Sequence, residues 1–288
     1  MTTLVVAALT ARELARRRLA AAAGVLTLAI VLFTAWGLQR LATATVEGAP
    51  ITEPAVRATT AGIVLLLAFL FSFVVALGAA LIGGPAVAES IANGEILAVL
   101  ARPVRRAEIV AGRWIGTVAA LALYVALAGA AELGVVRLTT GYVPPEPLTA
   151  FAYLAGVATV VATAAIALAT RLPGTAAAIV ATLLFGLAWI GGIVEAIGVG
   201  LGNDRLADAG TVAGLVFPSD ALWRGAAYAL QPAAFRAAAA TIGAASPGAQ
   251  PNPFLVATPP PPAMLAWAAG WTVVVFAAGI VAFRRRDL

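Results

Sequence analysis

Six apolar runs divide this 288-residue chain, at residues 19–38, 58–82, 115–136, 148–170, 175–199 and 264–283. Each is long enough to cross a hydrocarbon core about 30 Å thick, since a helix advances about 1.5 Å per residue. Inside lipid there is no water to bond the backbone, so a crossing segment must satisfy its own N–H and C=O groups, as a helix does. The chain is 62% hydrophobic and only 11% charged, and a soluble domain of this length could not hide that much apolar surface. The sequence therefore predicts an all-α, polytopic membrane protein, a single domain over residues 1–288 with six transmembrane helices.

What is missing bounds the chemistry. Histidine and cysteine are absent, and all 18 basic residues are arginine. The common zinc and haem ligands are therefore lacking, as are imidazole and thiol catalysts. With no lysine there is neither a phosphate-loop lysine nor a Schiff base. The residues present support no catalytic, cofactor or metal site. The arginines cluster beside the ends of the apolar runs rather than on one soluble face. They read as a topology signal, not as a nucleic-acid surface.

Residues 1–18 join Leu4, Val5, Ala8 and Leu9 to Arg12, Arg16, Arg17 and Arg18, the make-up of an elbow helix lying in the membrane interface. A cleaved signal peptide shares this layout, but an apolar run of about 20 residues suits a retained span better. Two polar stretches are long, 83–114 and 200–263. In the first, Pro85 suits a first helical turn, Val87, Ile91 and Leu100 recur near helical spacing, and Pro103 breaks the pattern. The second holds two candidate short helices and the run Pro259 to Pro262. Arg171 to Gly174 reads as a tight turn between the fourth and fifth spans.

Six crossings put both termini, the 83–114 handle and the Arg171 turn on one side. That side carries 12 arginines and 5 acids, and the other carries 6 arginines and 8 acids. Positive residues are retained in the cytoplasm, so termini and handle are expected there.

A loop could join two spans with arginines that only enforce orientation, as the short Arg171 turn does. The handle is far longer and carries both charge signs in a helical pattern. Its residues Glu89, Asn93, Gly94 and Glu95, then Arg102, Pro103, Arg105, Arg106 and Glu108, then Gly112 and Arg113 resemble the signature of the permease subunits of type-2 ATP-binding-cassette (ABC) transporters. Within that family the pattern is similar to the nitrous-oxide-reductase-maturation-like permease branch. Two departures are Arg113 in place of the family's usual lysine and an acidic start thinned to Glu89. The elbow, the six-span plan and the long segment before the last span extend the resemblance over the whole chain.

The resemblance implies an exporter in a prokaryotic inner membrane. Two copies of the chain would form the passage as a homodimer, above two separate ATPase subunits that bind ATP and Mg. Glu89 to Ala101 would be the coupling helix inserted into an ATPase, and Arg102 to Glu108 the turn bracing it. Arg105 and Arg106 would meet carboxylates there, and Glu89, Glu95 and Glu108 basic groups. The other expected partners are lipid and an unknown transported substrate, with no nucleic acid.

Glu132 and Glu195 are the acids inside the expected spans. A carboxylate in a membrane points to function by default, but both lie near the outer ends of their runs, where water is within reach. Either outer-interface placement or an exit vestibule fits them. In the outer segment, Ser219 suits a helix N-cap and Asp220 the helix start, with Leu222, Trp223, Ala226 and Leu230 on one face. That pattern predicts a helix lying on the outer leaflet. Asp220 and Arg224 stand at i,i+4 and can pair. The spacing of Pro218, Asp220 and Arg224 also resembles a pattern in the branch named above, which implies a lid or gate. Glycines in the fifth span permit close helix packing.

Three rivals remain. An ion-driven secondary transporter would want a paired acid near mid-membrane and an inverted repeat, and neither is visible. An intramembrane enzyme would want histidine, lysine, paired aspartates or metal ligands. A non-catalytic scaffold needs no motif at all.

Overall fold

Ten helices and one short strand pair make up the described residues, which are 2–16, 18–46, 49–92, 105–245 and 255–285 of the computed structural model. The order is α1 (Thr2–Arg16), α2 (Arg18–Ala42), β1 (Thr45–Val46), β2 (Ala49–Pro50), α3 (Glu53–Ala92), α4 (Arg106–Thr140), α5 (Pro147–Ala169) and α6 (Gly174–Leu201). Three shorter helices follow, α7 (Asp204–Val216), α8 (Ser219–Leu230) and α9 (Ala233–Ala245), before α10 (Pro262–Arg284). Helices α2, α3, α4, α5, α6 and α10 are long and apolar enough to cross a membrane, one for each apolar run. The fold is an all-α, six-span membrane protein.

Local chemistry sets several of the helix limits. Gly141 and Gly202 take left-handed backbone angles (φ 68° and 62°) and close the C-termini of α4 and α6. Prolines in the first turn open α5 and α10, where a missing N–H costs nothing. Pro85 departs from expectation. It starts no new helix but lies inside α3, which runs on to Ala92. At that point α3 is pressed against the start of α6. A Cβ on Gly84 would strike the Gly174 carbonyl, and one on Gly174 would crowd Pro85. Packing from a neighbour thus holds the helix through a residue that would otherwise end it.

Helix α5 is the centre of the bundle. Leu154, Val157, Val161, Ala162 and Ala165 are buried among side chains of α3, α4, α6, α8 and α10. Its alanines let neighbouring helices come close, as packing in lipid requires. Leu66, Leu70, Leu123, Leu183 and Val273 stay exposed on the outer helices, an apolar periphery that lipid can solvate.

Val87, Val110, Ile166, Ala169, Ala177 and Phe283 form a second cluster where α3, α4, α5, α6 and α10 meet at one end of the bundle. Helix α1 packs on α4 at the same end. This is called the handle end below, and the opposite end the far end.

The segment after α6 departs most from expectation. Among the described residues it holds three helices, not two, and the middle one, α8, is buried in the bundle rather than laid on the surface. Gly202 and the Asn203 side chain, which accepts a hydrogen bond from the Leu206 N–H, reverse the chain. Helix α7 then runs back down α6, Phe217 and Pro218 make the turn, and α8 climbs beside α5. Three contacts fix the depth of the turn. Asp220 abuts Gly192, Leu222 abuts Gly156, and Phe217 packs on Trp271. Gly192, Gly156 and Trp271 each lie nine residues inside the far ends of their helices, at Leu201, Pro147 and Pro262. At 1.5 Å per residue the turn is therefore about 14 Å in. Helices α7 and α8 form a re-entrant hairpin.

Candidate functional site

Two places on the bundle carry the residues singled out by the sequence. The first is the handle end. Asn93, Gly94, Glu95, Arg102 and Pro103 lie outside the described residues, as does the side chain of Glu89, whose backbone continues α3. Arg105 precedes α4 with an extended backbone, and its carbonyl accepts from the Glu108 N–H at 2.9 Å. Glu108 sits in the first turn of α4, where the helix dipole favours an acid.

Just beyond, α1 is seated on α4 through two glycines. A Cβ on Gly112 would meet Val6, and one on Gly116 would meet the Ala7 carbonyl and Thr10. Arg113 reaches Glu13 of α1 at 3.8 Å. Trp114 donates to the Thr163 hydroxyl of α5 at 2.8 Å and stacks at 4.8 Å on Phe276 of α10. The base of the handle is thus tied to α1, α5 and α10 together.

The second place is the hairpin. Arg224 of α8 donates to Glu195 at 2.7 Å and to the Gly192 carbonyl at 3.0 Å, both on α6. Its Nε lies 2.7 Å from Asp220. Thr211 of α7 donates to the other oxygen of Glu195 at 3.3 Å. The expected i,i+4 pair of Asp220 and Arg224 exists, and Glu195 joins it from another helix. Glu195 is therefore half of an ion pair.

Ser219 is not the N-cap expected of it. It is already the first helical residue, after Pro218, and its hydroxyl is buried with no partner. Nor do Leu222, Trp223, Ala226 and Leu230 face lipid; they are buried together with Ala221, Gly225, Ala227 and Ala229. Trp223 meets Phe69 of α3 edge-on at 5.4 Å. Phe73, Phe185 and Trp189 extend the same ring cluster between α3 and α6.

The sequence reading missed two residues that complete the hairpin. At the end of α7 the carbonyls of Leu215 and Val216 have no helical partner. The indoles of Trp267 and Trp271 on α10 donate to them at 2.9 and 3.0 Å. Such bonds are needed wherever a helix ends inside lipid. Their spacing, i and i+4, was the available signal.

Glu132 sits elsewhere, in the seam between α4 and α2, hydrogen-bonded to Thr34. Its Oε1 has no partner. Tyr124 and Thr27, 2.9 Å apart, join the same two helices. Glu132 and Glu195 do not share a site. At the far end a mostly apolar groove of about 540 Å³ opens between Pro54, Arg57, Tyr142, Pro232 and Phe235.

Comparison with known proteins finds one family. The model of the family described as ABC-2 family transporter protein matches residues 4–288. No curated protein matches the chain.

Proposed function

We propose a function from one premise: this chain belongs to the ABC-2 transporter family. It is a membrane-spanning permease subunit of an ABC transporter, and the family implies ATPase partners that hydrolyse the nucleotide. In our reading the ATPase grips the 83–114 handle at its middle, from Glu89 through Arg105, Arg106 and Glu108. Glu89, Asn93, Gly94, Glu95, Arg102 and Pro103 complete the docking segment. ATP and Mg would bind on the ATPase, not on this chain.

One observation carries this reading. Two spanning helices, α3 and α4, end at the handle, and α4 is braced there against α1, α5 and α10. A displacement of the handle therefore reaches the membrane-embedded bundle through stiff, packed elements. A ligand or motor shifts a two-state protein only by interacting differently with the two states, and a braced lever supplies that difference.

The finer reading follows the sequence pattern. Two copies would form an export passage, in a prokaryotic inner membrane with both termini cytoplasmic, supported by the arginine imbalance. The handle string and the spacing of Pro218, Asp220 and Arg224 favour the nitrous-oxide-reductase-maturation-like branch.

The test is a charge reversal. Arg105→Glu with Arg106→Glu should weaken co-purification with the ATPase by about tenfold or more, as expected when charges at a partly buried interface are reversed. Membrane insertion should stay intact. Full recovery of the ATPase with the double variant would remove the handle as the dock.

A further inference from the structure

The hairpin raises a problem that lipid makes severe. Its turn lies about 14 Å inside the bundle, yet it carries Asp220 and Arg224 and faces Glu195. Arg224 and Glu195 keep about a third of their side-chain surface exposed (34% and 31%), and Asp220 only 11%. Charges that deep in the bundle are tolerated only when each has its partner. Here a single guanidinium spans all the groups at stake. It holds Glu195 and the Gly192 carbonyl on α6 and Asp220 on its own helix, while Glu195 in turn accepts from Thr211 on α7.

The guanidinium therefore joins α6 to α8, and Glu195 carries the link on to α7. Gly192 has no side chain, and a Cβ there would fill the place of the Asp220 carboxylate. The backbones of α6 and α7 are equally close where Gly191 abuts Ala213, Gly198 abuts Ala207 and Gly210 abuts Glu195. The two indoles of α10 close the other side of the turn.

We propose that Arg224 is the positioning residue that keeps the re-entrant hairpin seated in the membrane, acting as a clasp between α6, α7 and α8. It follows that the hairpin moves with α6 and does not swing as an independent lid. Swinging out would part the guanidinium from Glu195 and Gly192 and strip the indoles from the Leu215 and Val216 carbonyls.

The asymmetry of charge makes the clasp testable. Losing Arg224 alone leaves two carboxylates facing each other in lipid, with water their only remedy. Neutralising all three members leaves nothing that must be hydrated, as with buried ion clusters replaced whole. The chain has no cysteine, and the Ser219 hydroxyl makes no hydrogen bond. Ser219→Cys therefore places a single, nearly isosteric thiol at the turn.

The experiment measures reaction of that thiol with a membrane-impermeant maleimide, the chain being held in lipid nanodiscs so that both faces are open. Ser219→Cys alone should stay protected. Adding Arg224→Met should raise the labelling rate by roughly ten- to a hundredfold, since it leaves the largely buried Asp220 carboxylate without its partner. Adding Glu195→Gln and Asp220→Asn to that variant should restore protection.

Arg224→Lys guards against a variant that fails to accumulate. One ammonium cannot reproduce the fork that reaches two carboxylates and a carbonyl, so its labelling should fall between parent and Arg224→Met. Ready labelling of the parent, or no rise with either Arg224 variant, would overturn the proposal. So would equal labelling of the fully neutralised variant, which would make packing, not charge, the cause. None of these outcomes involves the ATPase, so the docking proposal stands or falls apart from this one.

Discussion

At the residue scale, glycine does two different things in this chain, and the sequence does not separate them. Gly192 faces the Asp220 carboxylate with no room for a methyl group, whereas Gly186, less than two turns away on the same helix, has open space beside it. Gly192→Ala should therefore cost about 1–3 kcal/mol through overpacking. Gly186→Ala should be neutral or slightly stabilising by helix propensity. Thermal melting of the two variants in the same detergent would check the contrast. A matching loss in both would mean that the close approach at Gly192 is not what holds it. Glu195 teaches the same lesson. Its partner Arg224 is 29 residues away, and only the reversal at Gly202 and Asn203 brings the two together.

At the element scale, α8 shows how a pattern can be read correctly and placed wrongly. The residues expected on one apolar face are indeed buried, but so are most of those between them. A short amphipathic helix has the same period whether it rests on lipid headgroups or slots between spans. What decides between them is the fate of the backbone at its ends. Trp267 and Trp271 supply donors for the last carbonyls of α7, and without them the turn would be costly at that depth. Trp271→Phe keeps the ring packing against Phe217 but removes the donor to Val216. It should lower stability by about 0.5–1.5 kcal/mol, the net worth of one hydrogen bond at a site the bundle does not cover. Hydrogen exchange should rise first in α7 and α8. Exchange unchanged there would show that water or another group already serves that carbonyl.

At the scale of the whole molecule, the arginine imbalance makes a claim about sidedness that labelling can check. Leu172 in the turn between α5 and α6 and Val143 between α4 and α5 are both exposed and lie at opposite ends of the bundle. In intact cells, the Val143→Cys variant should react with an impermeant maleimide. The Leu172→Cys variant should react only after permeabilisation. The reverse pattern would invert the orientation and take the handle away from any cytoplasmic ATPase. The bundle itself supports a lever reading of the handle end, because α1, α4, α5 and α10 are packed together just beneath it.

The number of spans and the common end of both termini were written in the sequence, but not all of their limits: α3 runs ten residues past the expected end of its span, to Ala92, and α4 starts nine residues early, at Arg106. Lipid leaves an apolar run of that length one conformation, and that requirement is local to each run. Local signals could not say that Pro85 would be carried through a helix by Gly174, or that α1 would seat on Gly112 and Gly116. Nor could they say that the polar segment before α10 would fold back into the membrane around Arg224. Each of those depends on which helices become neighbours, and the partners that satisfy a buried charge or a helix end come from elements far along the chain.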